Sequence, residues 1–286
     1  MIFRKRVNLF VAFLVLMVNS VVQCQSPQSF SSPSSTATFL LTGEELTYEV
    51  SWWLLKLGTI RFKVIQETEL NNEKLYTAIG YIDSYSGIPF VNLHTVFLTE
   101  MDSEGYSRSS KAWDQLHDKW DYTHYIFDRE NSLLIIKQGI ADTALGEPIK
   151  IKSIDSIALS KKGSDGLSIL YFARAHVNSG KKFSVPTIVN YKEGITSLNF
   201  YRKRTYVKIG AVDYPVDVLE FDGYAYFQGI FGLSGPFMGW FSNDSAHIPI
   251  KATLNVMLGS ISVELIKWER NGWNPPASKS QKAPKK

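Results

Sequence analysis

Four residues of this chain have the types and spacing from which metal or acid–base chemistry is built. Asp114, His117, Asp121 and His124 follow one another at intervals of three, four and three. On a helix that spacing would stack all four on one face, and two imidazoles with two carboxylates can bind zinc. The surrounding residues, however, read as strands. Trp120, Tyr122, His124 and Ile126 alternate with Asp121, Thr123, Tyr125 and Phe127, and Asp118-Lys119 reads as a turn. This period of two points Asp121 and His124 to opposite faces. The quartet is therefore expected to be ordinary polar residues of a solvated hairpin, with no metal. A metal-dependent or hydrolytic enzyme centred on it is the alternative.

Four other motifs carry weaker signals. Gly232-Leu233-Ser234-Gly235-Pro236 places its second glycine one position too early for a Gly-x-Ser-x-Gly nucleophile turn, and it lacks a strand-to-helix context. Gly229, Gly232, Gly235 and Gly239 lack the Gly-Lys-Ser/Thr ending of a phosphate cradle. Arg202, Lys203 and Arg204 lie between Tyr201 and Tyr206 and could contact single-stranded nucleic acid. A charged strand edge that blocks unwanted pairing explains them more simply. Asn243-Asp244-Ser245 is formally a glycosylation sequon. No catalytic residue and no cofactor are expected.

Apolar binding has a stronger basis. Ile230, Phe231, Leu233, Phe237 and Met238 fill the gaps of the glycine-rich stretch. This stretch reads either as a loop tucked over the core or as a greasy flap at a cavity mouth or membrane surface. Methionine and phenylalanine on a flap adapt to irregular apolar ligands. The candidate ligand-binding set is Trp52, Trp53, Phe231, Phe237, Met238 and Trp240.

Strands must position these residues. Leu46, Tyr48, Val50 and Trp52 alternate with polar neighbours, as do Ile60, Phe62 and Val64, and Gly58 is read as the bend between the two runs. Further strands are expected near 76–82, 95–101, 107–115, 120–127, 133–137, 149–154, 183–189, 196–202, 205–209 and 216–227. A final hairpin, 248–257 with 260–268, turns at Leu258-Gly259. One segment differs. Leu167, Leu170, Tyr171, Arg174 and Val177 recur at helical spacing, Ser164 or Asp165 can cap the start, and Gly180 follows the end. The expected fold class is mainly β: an antiparallel curved sheet or open barrel-like sandwich with one central helix, over residues 39–273.

The ends carry other information. Arg4, Lys5 and Arg6 precede an apolar run from Val7 to Val22, the pattern of a secretory signal peptide over 1–24. Interrupted by Asn8, Asn19 and Ser20, the run falls short of the ~20 residues of a membrane span. Residues 25–38 form a Ser/Pro-rich tether and 274–286 a basic tail, both expected to be disordered. Of the formal charge of +4, the leader holds three positive charges and the tail four, with no acid in either, so the body is −3. An exported acidic body argues against a nucleic-acid partner. Cys24 is the only cysteine, which excludes an internal disulfide. It is either removed with the leader, the preferred reading, or lipidated, in which case the protein touches a membrane.

Three sets of motifs resemble a known family. Gly43-Glu44-Glu45-Leu46-Thr47-Tyr48-Glu49-Val50 leads to Trp52 and Gly58. Asp165-Gly166-Leu167-Ser168 runs on to Arg174. Trp240-Phe241-Ser242-Asn243-Asp244, Ile248-Pro249-Ile250 and Gly259 through Leu265 close the body. Their order and spacing resemble the bacterial exported family catalogued as domain of unknown function 3108. The resemblance implies a β-rich protein of the periplasm or cell surface and no established activity. Within it, Pro249 is expected to limit pairing on an outer strand. The resulting expectation is an exported envelope protein of unknown activity that binds an apolar or amphipathic ligand or an envelope partner. A ligand-free scaffold is the remaining option.

Overall fold

The computed structural model describes residues 39–88, 92–229, 234–256 and 259–278. The leader, Cys24, the Ser/Pro tether, Phe231 and the tail beyond 278 lie outside the described residues.

Fourteen strands form one antiparallel sheet: β1 Glu45–Trp52, β2 Leu55–Leu70, β3 Glu73–Ser84, β4 His94–Asp102, β5 Ser107–Leu116, β6 Lys119–Asp128, β7 Leu133–Ala141, β8 Lys150–Ala158, β9 Lys182–Val189, β10 Lys192–Val207, β11 Val216–Ala225, β12 Gly235–Ser242, β13 Pro249–Val256 and β14 Gly259–Glu269. The spatial order is β8-β7-β6-β5-β4-β3-β2-β1-β14-β13-β12-β11-β10-β9. Two meanders thus meet where the first strand pairs with the last, Glu45 opposite Glu269 and Trp52 opposite Ile261. The one helix among the described residues, α1, Ser168–His176, joins the two outermost strands. This is the mainly β, curved fold expected, and the sheet does not close into a continuous barrel.

The helix curls the sheet. Leu167 and Tyr171 pack with Val64, Tyr76, Ala78 and Met101 of β2–β4. Phe172, Ala173 and Val177 pack with Val185, Leu198, Phe200, Leu219 and Phe241 of β9–β12. In a flat sheet β4 and β10 would lie ~38 Å apart, at about 4.8 Å per strand. A helix about 10 Å wide reaches both only if the sheet wraps around it. Where the outer strands approach, Ser164 forms a parallel bridge with Thr187.

The helix starts where Asp165 caps it. Its Oδ1 accepts the N–H groups of Leu167 and Ser168, at 2.7 and 3.1 Å. Ser107 and Thr99 donate to the same carboxylate, which ties the cap to β4 and β5.

Several boundaries differ from the sequence reading. The β1–β2 bend falls at Trp53-Leu54, and Gly58 lies inside β2. A Cβ at 58 would sit 2.2 Å from the carbonyl oxygen of Asp83, so the close approach of β3 requires the glycine. The runs 196–202 and 205–209 belong to one strand, β10, with a register shift between Phe200 and Lys203. The basic triplet lies where β10 runs on past its pairing with β9, which ends at Asn199; Lys203 and Arg204 pair with β11 alone, so this stretch is an exposed local edge, as expected. Each member has a partner: Arg202 on the carbonyls of Asn178 and Ser179, Lys203 on Glu220, Arg204 on Asp217. Pro249 opens β13, an interior strand, next to a register shift between Trp240 and Phe241. A proline is tolerated there because the ladder is already interrupted. The body also continues past Trp273: Asp217 donates its N–H to Pro276 at 2.7 Å, and Ser278 donates to Pro215 at 2.8 Å.

Candidate functional site

The β5–β6 hairpin separates the four acid–base candidates. Asp114 lies directly opposite Asp121 in the ladder, so their side chains share one face. Thr95 donates to Asp114 at 2.6 Å, and Lys152 pairs with Asp121 at 2.8 Å. Burial raises the pKa of Asp114, opposed by the Thr95 bond and assisted by the Asp121 charge. His117 occupies the exposed turn at φ 57°. His124 lies on the opposite face, with Nε2 2.9 Å from the Ser109 hydroxyl. Burial, helped by Lys111 and Lys137, pulls its pKa down to about 4. A neutral imidazole between two lysines is not set up for acid–base exchange with carboxylates on the other face. Among the described residues no three His, Cys, Asp or Glu side chains are grouped to hold a metal. Ser234 makes a backbone contact, donating its N–H to Asn255.

The apolar candidates divide between locations. Trp53 and Leu54 form the two-residue turn between β1 and β2 and are 91% and 90% exposed. Trp52 and Leu55, which flank them, are partly exposed. Phe237 faces the helix side of the sheet and packs on Phe221 at 6.2 Å between ring centroids. Met238 and Trp240 take the other face by strand alternation. Met238 is partly exposed, and Trp240 packs against Val216 and Val218 while donating to Glu220. The glycine-rich stretch is partly strand: β12 begins at Gly235.

The Trp53-Leu54 turn stands on a firm base. Below it, Val50, Leu57 and Ile261 are buried together, with Ile88 of the β3–β4 connection and Leu254 packed against them. The N–H of Tyr85 donates to Leu57 at 2.9 Å and holds that connection beside the hairpin. Leu54 and Leu55 were not singled out in the sequence. The signal was present, because four consecutive large apolar residues at a turn break the polar rule for turns.

A second group absent from the sequence candidates lies at the other end of the helix. Arg174 is fully buried and donates to Glu44 at 2.6 and 3.1 Å, to Phe39 O at 2.8 Å and to Ala246 O at 3.0 Å. Arg270 also contacts Glu44. Burial opposes the arginine charge, but Glu44 outweighs it and the pKa is raised. An arginine in the apolar stripe of a helix was the readable sign of a buried partner. This network fixes α1 to the ends of β1 and β12; it has the geometry of an anchor.

No family model matches the chain, and no curated protein matches it. Among solved structures, a β-barrel-like protein of domain of unknown function 1849 from Brucella abortus is similar, at 11% identity and TM-score 0.50. The match covers 80% of this chain and 98% of that one. That likeness supports the barrel-like fold. Weaker likenesses are to a candidate lipoprotein of Parabacteroides distasonis (7% identity, 80% and 96% coverage, TM-score 0.33) and to a candidate exported protein with a YmcC-like fold from Bacteroides fragilis (9%, 80% and 97%, 0.30).

Proposed function

We propose that the chain is an exported envelope protein, a member of the family of domain of unknown function 3108, that binds an apolar or amphipathic ligand without catalysis. The observation that carries this reading is the Trp53-Leu54 turn. Two large apolar side chains about nine-tenths exposed are costly in water, at roughly 1.5–3 kcal/mol each relative to burial. Trp53 also takes φ 56°, a left-handed conformation that a bulky residue rarely adopts. Exposure and strain coincide at one rigidly based hairpin tip, and such coincidence is typical of ligand contact. Export rests on the basic and apolar leader, and family membership on the order of the motifs.

Trp53→Asn tests the reading without attacking the fold, because asparagine tolerates the left-handed conformation. Native mass spectrometry of the protein from its own envelope identifies what travels with it. Tryptophan fluorescence with phospholipid vesicles measures contact directly. The wild type shifts to the blue on binding, and Trp53→Asn with Leu54→Ser does not. Equal binding by both proteins would overturn the reading. A co-purifying protein in place of lipid would assign the same tip to a partner.

A further inference from the structure

At the opposite end of the sheet from Trp53, the segment between β8 and α1 crosses the β6–β7 turn and leaves a cavity of about 90 Å³. Phe127 and Leu159 form its apolar floor, and Arg129, Lys161, Lys162 and Ser132 line the remainder. Arg129 is held in place. Its Nη2 donates to the carbonyls of Tyr106 and Ser107 at 3.1 and 3.0 Å, and its Nη1 lies 3.0 Å from Asp102. Its Nε has no hydrogen-bond partner among the described residues. Lys162 stands 5.9 Å from the ring centroid of Tyr106. Neither Lys161 nor Lys162 forms an ion pair among the described residues. Three nearby carboxylates are engaged, Asp102 by Arg129, Asp128 by Asn131, and Glu193 by the N–H of Ser160, while Glu73 lies 3.8 Å from Arg129 Nη1 and Glu130 of the same turn is exposed.

We infer that this cavity is a binding site for a phosphate-type oxyanion. Charge is the first reason: a fixed guanidinium and two unpaired ammonium groups converge on one concavity of a body that is otherwise acidic. Arginine and lysine together suit phosphate, the one by its rigid fork and the other as a mobile point charge. Size is the second reason. At about 30 Å³ per water, the space holds some three waters, enough for a phosphate group. Drug-sized ligands need pockets of about 300 Å³ or more. The bound group is either free phosphate or the phosphate of a larger molecule whose remainder stays outside.

The test titrates inorganic phosphate into the mature protein at low ionic strength, by calorimetry and by amide chemical shifts. Lys161→Gln with Lys162→Gln is the diagnostic variant, because both side chains are exposed and the fold does not depend on them. Arg129 is left intact, since it holds the Tyr106 and Ser107 carbonyls. Saturable binding in the wild type, about tenfold or more weaker in the double variant at an unchanged urea midpoint, is the expected result. Shifts should centre on residues 159–163 and 129–132, and Trp53→Asn should leave them unchanged. Phosphatidylglycerol and phosphatidylcholine vesicles separate the sources: lysine-dependent retention on the anionic vesicles indicates a headgroup, and phosphate binding without retention indicates the free ion. No saturable binding of either probe, or equal binding by the double variant, would overturn the assignment.

Discussion

Arg174 shows how a single side chain can fix the interior of a sheet. Its guanidinium is fully buried and matched by the Glu44 carboxylate and two backbone carbonyls. Arg174→Met would leave the Glu44 carboxylate to Arg270 and strand the Phe39 and Ala246 carbonyls, at an expected cost of about 1–3 kcal/mol in urea unfolding. Arg174→Met combined with Arg270→Met should cost more, about 3–5 kcal/mol, because only then does the buried carboxylate lose both of these cations. His124 gives a pH dependence. An unfolded imidazole titrates near about 6.5, and this one near about 4 in the fold. Between those values the unfolded chain holds a proton that the folded chain does not. Stability is therefore complete above about 6.5 and falls as pH drops towards about 4. Burial lowers His247 as well, with the same sign, whereas the raised Asp114 acts in the opposite sense. His124→Gln should flatten the slope of unfolding free energy against pH in that window, an outcome read from urea midpoints across the range.

At the scale of elements, β11 and β12 fit together by pairing rings with glycines. Phe221 lies opposite Gly239, and Gly223 opposite Phe237. Each ring covers the neighbouring glycine. A Cβ at 239 would lie 2.3 Å from the Phe221 ring, and one at 223 would lie 2.3 Å from both the Phe237 ring and the carbonyl oxygen of Ser197. Gly239→Ala should destabilise by about 1–3 kcal/mol through overpacking, and Phe221→Leu should relieve part of that cost. Gly223→Ala should gain much less from Phe237→Leu, because the backbone oxygen of Ser197 remains in the way. Chemical denaturation of the four variants checks both statements. The same pairing explains why a glycine-rich stretch that resembles a flap contributes a strand: the missing side chains are supplied by rings across the ladder.

For the whole molecule, the two chain halves are joined at the β1–β14 ladder, and the outer strands β8 and β9 are connected through the helix. Protection from hydrogen exchange should follow this order. Amides of β1 and β14, paired on both sides over buried Leu46, Tyr48 and Leu265, should exchange near the global unfolding rate. Those of β8, which pairs only with β7 and is largely exposed, should exchange first. Mass-spectrometric exchange resolves the two, and equal protection across the sheet would contradict the order.

Much of this arrangement was written locally. Alternation at Leu46, Tyr48 and Val50, or at Ile60, Phe62 and Val64, is enforced by the pleat of one strand, so strand positions and faces followed from sequence. Helical spacing and the Asp165 cap are likewise short-range, and α1 appeared within a few residues of its expected ends. The separation of Asp121 from His124 followed from the same parity. The charge and leader features of the ends also belong to the sequence alone. What depended on long-range contact was not legible. Gly58 looked like a bend because its reason for being glycine is the backbone of β3. Arg174 could not name Glu44, 130 residues away in the chain. Phe237 and Met238 looked like one apolar group until the sheet assigned them opposite faces. Lys161, Lys162 and Arg129 converge only because a tertiary crossing brings the β8–α1 segment over the β6–β7 turn. A strand's own period determines which way each side chain points; only the curvature imposed by a helix packed against both meanders decides what it meets there.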